Sequence, residues 1–258
     1  VYGEYRSRQY DTRLFYYNWE YANNTLPNDF RYLPILDELL VPAHYGLDKL
    51  YLQEQVNKLN DYKGNNQHLA GYLAWNMPIR QWTLFAGIRY EYSKMELISN
   101  TKAHELSEIS SYYTYRDFFP SMNVSYNINE QHQLRVAYGK TINRPEFREL
   151  SPSVYYDFEF ASNVQGNSNL KAAIIHNMDL RYEYYPSPQE LVSLSLFYKD
   201  FSNPIEWTYT VNGGTNLTYS YTNAKGARNY GVELEVRKSL DFIGLPHFSL
   251  NFNGAWIH

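Results

Sequence analysis

Apolar residues at every second position, with charges between them, constrain this chain more than any other feature. In Trp82-Thr83-Leu84-Phe85-Ala86-Gly87-Ile88-Arg89-Tyr90-Glu91, one face carries Trp82, Leu84, Ala86, Ile88 and Tyr90. The other carries Thr83, Phe85, Gly87, Arg89 and Glu91. The alternation returns at Leu134–Tyr138, Val192–Leu196 and Val232–Val236. A side-chain period of two makes a β-strand with one apolar and one polar face. A charged polar face opposite an apolar face that ends in aromatics fits a strand standing between lipid and a water-filled lumen.

Composition supports that placement. Tyrosine supplies 28 of the 258 residues, where a soluble core would draw on Leu, Val and Ile. Its apolar ring and polar tip suit the boundary between hydrocarbon and water. The mean hydropathy of −0.58 is no obstacle, because a barrel strand shows lipid only alternate residues and its loops are polar. No run approaches the roughly 18 apolar residues of a membrane helix, so a spanning role requires a closed barrel. The absence of cysteine excludes disulfides and thiolate chemistry, and a net charge of −4 gives no footprint for nucleic acid.

The expected fold is all-β, an antiparallel up-and-down meander of about nine strands forming part of a transmembrane β-barrel. The strands are placed within Val1–Glu20 and at about His68–Met77, Trp82–Leu97, Tyr113–Asn127, Gln133–Thr141, Ile175–Tyr185, Leu191 toward Tyr209, Leu217–Ser239 and His247–Ile257. Tight turns rich in Pro, Asn, Ser and Gly follow the second, fourth, sixth and eighth strands. Long links are expected at about Tyr21–Gln67, Ile98–Tyr112 and Ile142–Ala173, and the Asn212-Gly213 pair signals a tight hairpin. Short turns on one side and long links on the other match an outer-membrane barrel with its long side outside the cell. A short helix is expected in the first long link, where Leu52, Val56 and Leu59 stand at helical spacing.

From Leu134 onward the sequence resembles TonB-dependent outer-membrane receptors. The segment Asn143-Arg144-Pro145-Glu146-Phe147 matches their Arg-Pro-x-Phe element at a strand end. Gly166-Asn167-Ser168-Asn169-Leu170-Lys171 matches their Gly-Asn-x-Asn-Leu-Lys segment. Phe85–Glu91 and Asn229–Glu235 are further matches in the family's order. The resemblance implies a 22-stranded barrel around an N-terminal plug, with uptake of a scarce ligand driven through TonB. Nine strands without a plug, a TonB-contacting box or a terminal aromatic strand read as an interior piece of that barrel domain over residues 1–258. A curved open sheet or partial barrel is then expected. The implied partners are outer-membrane lipid, the receptor's own plug, TonB, and a small-molecule or glycan ligand.

Roles for single residues follow. Pro145 fixes its own φ and holds Arg144 extended, which ends the strand. Gly166 and Asn167 are expected to supply a turn with positive φ, and Phe147 and Leu170 belong to the same structural motifs. Arg89, Glu91, Arg135, Arg181 and Glu183 should face the lumen and pair across strands as scaffold. Tyr155, Tyr156, Phe158 and Phe160, with Trp207, Tyr209, Tyr219 and Tyr221, offer flat faces for a sugar or a siderophore.

No catalytic constellation, metal set or cofactor motif is recognisable. The seven histidines stand apart, without a His-Glu-x-x-His pair. Two other readings remain open on periodicity. A soluble lipocalin-like barrel or sandwich would point its apolar faces inward. An outer-membrane barrel enzyme would need a group such as His104 with Glu105 and Glu108.

Overall fold

The computed structural model describes residues 1–19, 32, 36–46, 49–55, 57–159, 161–211 and 217–258. Its strands are β1 (Tyr2–Tyr10), β2 (Leu14–Trp19), β3 (Leu50–Gln55), β4 (Tyr62–Ile79), β5 (Trp82–Asn100), β6 (Glu108–Asn127), β7 (His132–Asn143), β8 (Val154–Asp157), β9 (Ser162–Gln165), β10 (Ala173–Tyr184), β11 (Leu191–Ser202), β12 (Ile205–Val211), β13 (Leu217–Asn223), β14 (Gly226–Leu240) and β15 (Leu245–Ile257). Two single-turn helices, α1 (Leu36–Leu39) and α2 (Phe147–Leu150), lie in long links.

The main sheet has nine strands in the order β1-β4-β5-β6-β7-β10-β11-β14-β15. Every neighbouring pair is antiparallel. The sheet is open, with β1 and β15 as its edges. At the short-turn end β4 reverses into β5 through Arg80 and Gln81, and Arg80 takes φ 55° to close the hairpin.

Register turns the alternation into continuous bands. Met77, Leu84, Val124, Val136, Leu180, Leu196, Val232 and Trp256 face one another in turn across eight strands. One residue along, Thr83, Ser125, Arg135, Arg181, Ser195 and Glu233 form the opposite row. A one-residue slip at any ladder would mix the two rows, so the pattern specifies register strongly. The apolar face is uncovered: Leu73, Trp75, Ile88, Met178 and Trp256 are all exposed. Aromatic pairs bound it on β5, with Trp82 against Tyr126 at 4.4 Å and Tyr90 against Phe118 at 4.9 Å between ring centroids. Trp82 and Tyr90 are eight residues apart, about 26 Å along the strand at the usual rise. At a strand tilt of about 40° that is about 20 Å of height, close to the roughly 25 Å apolar band between aromatic girdles.

Past Tyr90 the pattern inverts. Met95 and Leu97 lie on the Arg89–Glu91 face of β5 and are buried, while Lys94 on the other face is exposed. The buried cluster of the molecule sits there, on the charged face at the long-link end. Tyr62, Met95 and Leu97 of the wall meet Phe147, Leu150, Val164, Leu170 and Tyr221 from the long links. A second sheet, ordered β12-β13-β9-β8, supplies Val164 and Tyr221 to it.

Several expected boundaries move. The first expected strand is two, β1 and β2, separated at 11–13. The helical stripe through Leu52 is instead β3, laddered residue for residue with β2. A thirteen-residue helix is marginal in water, and pairing with an aromatic-rich strand outweighs it. The short helix of that link is α1, and Val56 lies outside the described residues. The link expected at Ile98–Tyr112 shrinks to 101–107, because Ser- and Tyr-rich residues 108–115 extend β6 along β5. The seventh and eighth strands each break, at Asn203 (φ 54°) and around 224–225, so that β12 and β13 leave the wall for the second sheet. The Asn212-Gly213 turn lies outside the described residues.

Candidate functional site

Proline starts the cap over the wall. The β6–β7 ladder begins at Ser121 opposite Gly139, one residue after Pro120, which has no N–H to donate. β7 ends at Asn143, opposite Ala173 of β10, and buried Pro145 then directs the chain across the inner face. Arg144 places a guanidinium nitrogen 2.8 Å from Glu91 Oε2 and lies over the Tyr115 ring at 5.7 Å. The other oxygen of Glu91 takes Arg89 at 2.5 Å, and His68 Nε2 stands 3.3 Å from Oε2. One carboxylate thus fixes the start of the cap to β4 and β5.

Phe147 is the keystone of the packing. It is 1% exposed, and its ring occupies the space a side chain would need at Gly64 of β4, where a Cβ would fall 2.5 Å from it. Arg6 of β1 lies over the same ring at 5.0 Å and pairs with Glu146 at 2.5 Å. α2 is held by a capping box between Glu146 and Glu149, the Glu146 N–H donating to Glu149 Oε2 at 2.8 Å. Arg148 stacks on Tyr10 at 5.6 Å and Tyr155 at 4.6 Å.

Gly166 and Asn167 do not take the expected positive φ; among the described residues the glycines that do are Gly46 and Gly244. Gly166 is needed for close approach. A Cβ there would collide with the Ser151 carbonyl oxygen and lie 2.6 Å from that of Arg148 and 2.8 Å from that of Glu149. These are backbone atoms and cannot swing aside. Gly166→Ala is therefore expected to cost about 1–3 kcal/mol as overpacking, read as faster hydrogen exchange at 145–170 with the wall amides unchanged. Asn167 donates from Nδ2 to the Tyr221 carbonyl at 2.9 Å, and its own N–H donates to Glu149 O at 2.6 Å. Leu170 is buried in the cluster. The two motif segments thus join one cap.

Farther along the inner face, Glu183 receives Arg135 at 3.2 Å and Arg181 at 3.0 Å. Arg181 also reaches Glu235 at 3.4 Å, and Glu235 holds Arg237 at 2.6 Å. Arg89, Glu91, Arg135, Arg181 and Glu183 thus share one face, in two separate ion-paired groups. Beside the second group, a cavity of about 480 Å³ is lined by Asn123, Asp179, Lys199 and Asn229, among others.

The aromatic set divides. Tyr155 and Tyr219 pack against the buried cluster. The Tyr155 and Tyr221 hydroxyls meet at 3.3 Å, and burial, then this hydrogen bond, push the Tyr221 phenol above its ordinary value. Tyr156, Phe158, Trp207 and Tyr209 are exposed. Trp207 stands 4.7 Å from Tyr221, and Tyr156 5.1 Å from Phe158. Phe160 lies outside the described residues. Sequence reasoning missed Asn223, whose Nδ2 bonds Lys171 O at 2.9 Å and Asn203 O at 2.8 Å, tying two long links together. It also missed Gly64, Met95 and Leu97. The switch of apolar positions from even to odd after Tyr90 was their signal.

His104 is exposed, Glu105 pairs with Lys102, and Glu108 pairs with Lys63. The carboxylates suggested for a hydrolytic group are thus engaged with lysines. No group of three or more His, Asp or Glu able to hold a metal occurs among the described residues.

The family model described as TonB dependent receptor-like, beta-barrel, matches residues 1–257. No curated protein matches the sequence. Among solved structures, the siderophore receptor PirA from Pseudomonas aeruginosa is similar at TM-score 0.53 and 17% identity, over 81% of this chain and 45% of that one. A double mutant of the Serratia marcescens hemophore receptor HasR, in complex with its hemophore HasA and heme, is similar at TM-score 0.53 and 12% identity, over 73% of this chain and 34% of that one. The chain thus spans less than half the length of these receptors. Receptors of the matched family are transporters, not enzymes, and sit in the outer membrane of Gram-negative bacteria. With its apolar face bare, its charged face capped at the long-link end and the family model matched over residues 1–257, this chain belongs to the TonB-dependent receptors and forms part of their β-barrel domain.

Proposed function

We propose that this chain is part of an importer that captures a scarce ligand of siderophore, vitamin or oligosaccharide type outside the cell. The ligand passes inward past a plug, with energy delivered through TonB. The observation that carries this reading is the second sheet at the long-link end of the wall, which presents exposed Trp207 and Tyr209 on its β12 edge, beside Tyr219 and Tyr221, and exposed Tyr156 on its β8 edge. Rigid aromatic faces with hydroxyls and amides alongside bind flat or ring-shaped ligands at little entropic cost. In this proposal Tyr156, Phe158, Trp207 and Tyr209 touch the ligand, and Tyr155 and Tyr219 order the links behind them. The ion-paired inner residues keep the wall polar along the transport path.

The two similar receptors serve a siderophore and a hemophore, so iron carriers come first in the test. Cells carrying or lacking the complete gene, each with or without TonB, would be given labelled ferric siderophores, heme, cobalamin and maltodextrins. One of these should accumulate only when both gene and TonB are present. Equal accumulation of every probe in all four strains would overturn the proposal.

A further inference from the structure

Beyond the aromatic belt the outward face becomes cationic. Tyr90 and Phe118 oppose each other across β5 and β6 on the apolar face. The next outward residues toward the long links are Tyr92, Lys94 and Glu96 on β5, facing Arg116, Thr114 and Tyr112 on β6. Behind them on the inner face, Ser93, Met95 and Leu97 are buried beneath the cap. Apolar character therefore changes sides at this level, which marks the edge of the hydrocarbon.

Two cations stand just above that edge. The Arg116 guanidinium lies over the Tyr92 ring at 5.5 Å, and the Lys94 ammonium over the Tyr112 ring at 5.6 Å. Both side chains are exposed, and neither forms an ion pair among the described residues. Their neighbours are paired: Lys63 holds Glu108 at 3.2 Å, and inward-facing Asp117 holds Lys140 at 3.6 Å. Glu96, two residues beyond Lys94, accepts the Tyr112 hydroxyl at 2.9 Å.

Height above the belt identifies what the cations meet. With a strand tilt of about 40° and about 3.3 Å per residue, Arg116 stands about 5 Å above Phe118 and Lys94 about 10 Å above Tyr90. Headgroups extend roughly 5–7 Å beyond the hydrocarbon on each side. Arg116 is therefore at headgroup level, and Lys94 stands just above it, within reach of its long side chain; each is braced by an aromatic ring, with an apolar wall below.

We propose that Lys94 and Arg116 form a binding site for the phosphate-bearing headgroup of an outer-leaflet lipid. Its acyl chains lie along Leu69, Leu73, Ile88 and Phe118. Charge complementarity selects this occupant. A guanidinium presents a planar fork that matches phosphate oxygens, and an ammonium beside it adds a point charge. A zwitterionic headgroup would bring its own ammonium against both cations. The site rests on the apolar face meeting lipid and is independent of which ligand is imported.

The test uses the protein expressed from its complete gene, purified in detergent, with lipid retention read by native mass spectrometry. The probes are diphosphorylated lipid A and the same lipid with its phosphates removed. The wild-type protein should retain the phosphorylated lipid at least about tenfold better, and the double variant Lys94→Gln, Arg116→Gln should lose that preference, as expected for two charge-assisted contacts. Equal retention of the two lipids by the wild type would overturn the proposal. So would undiminished preference in a double variant that keeps its heat-modifiable mobility on gels. If the double variant does not fold, the single variants Lys94→Gln and Arg116→Gln should each reduce the preference, and an undiminished preference in both would overturn the proposal.

Discussion

Truncating Phe147 to alanine should detach the cap from the barrel wall while leaving the wall intact. The ring is 1% exposed, packs face-on against the backbone at Gly64, and is covered by Arg6 from β1. Removing it opens a cavity that cannot collapse, because Gly64 has no side chain to lean in and the nine-stranded ladder fixes its backbone. Phe→Ala changes at such sites cost about 3–5 kcal/mol. The loss should fall on the cap alone, since main-sheet pairing does not depend on Phe147. Hydrogen exchange in the complete protein should show residues 145–170 losing protection by about two to four orders of magnitude, the factor that cost implies. Amides of β5, β6 and β10 should be unchanged. A rise in exchange across the whole sheet would show instead that cap and wall fold as one unit.

The parts of this fold legible in sequence are those with an unbroken period. Val192–Leu196 and Val232–Val236 alternate without exception and pair directly, Val192 opposite Val236 and Leu196 opposite Val232, while Trp82–Glu91 departs from the pattern only at Phe85. Where one residue had to be read alone, legibility fell. Gly166 looks like a turn glycine, yet its need comes from three carbonyls of residues 148–151, fifteen or more positions away in sequence. Leu52, Val56 and Leu59 fit a helix because a short apolar triplet fits several periods, and only the aromatic strand at Leu14–Trp19 decides between them. The aromatic loop residues were legible as a group. Which of them pack and which stay bare depended on a second sheet that pairs β13 with β9 in parallel, a contact with no local signal.

Replacing Leu180 by arginine should destabilise the membrane-inserted protein by about 2–4 kcal/mol, and the same change at Val192 should cost about 0–1 kcal/mol. Both side chains lie on the apolar face, and Val192 pairs with Tyr184 of β10. Leu180 stands midway between Tyr184 and His176 on β10, at the level where an arginine is farthest from either headgroup layer. Val192 lies at the short-turn belt, where His132 stacks on Tyr184 at 4.4 Å and a guanidinium can reach water. Folding into vesicles followed by tryptophan fluorescence across a denaturant series would measure both. The contrast separates the two architectures that alternation alone permits. An apolar face turned inward onto a protein core penalises arginine by local packing, with no reason for the cost to fall toward the aromatic belt. A face turned toward lipid penalises it by depth. Equal costs at the two positions would count against the lipid-facing assignment, whereas a steep fall from Leu180 to Val192 follows directly from a wall whose other side carries the ion pairs and, at its long-link end, the cap.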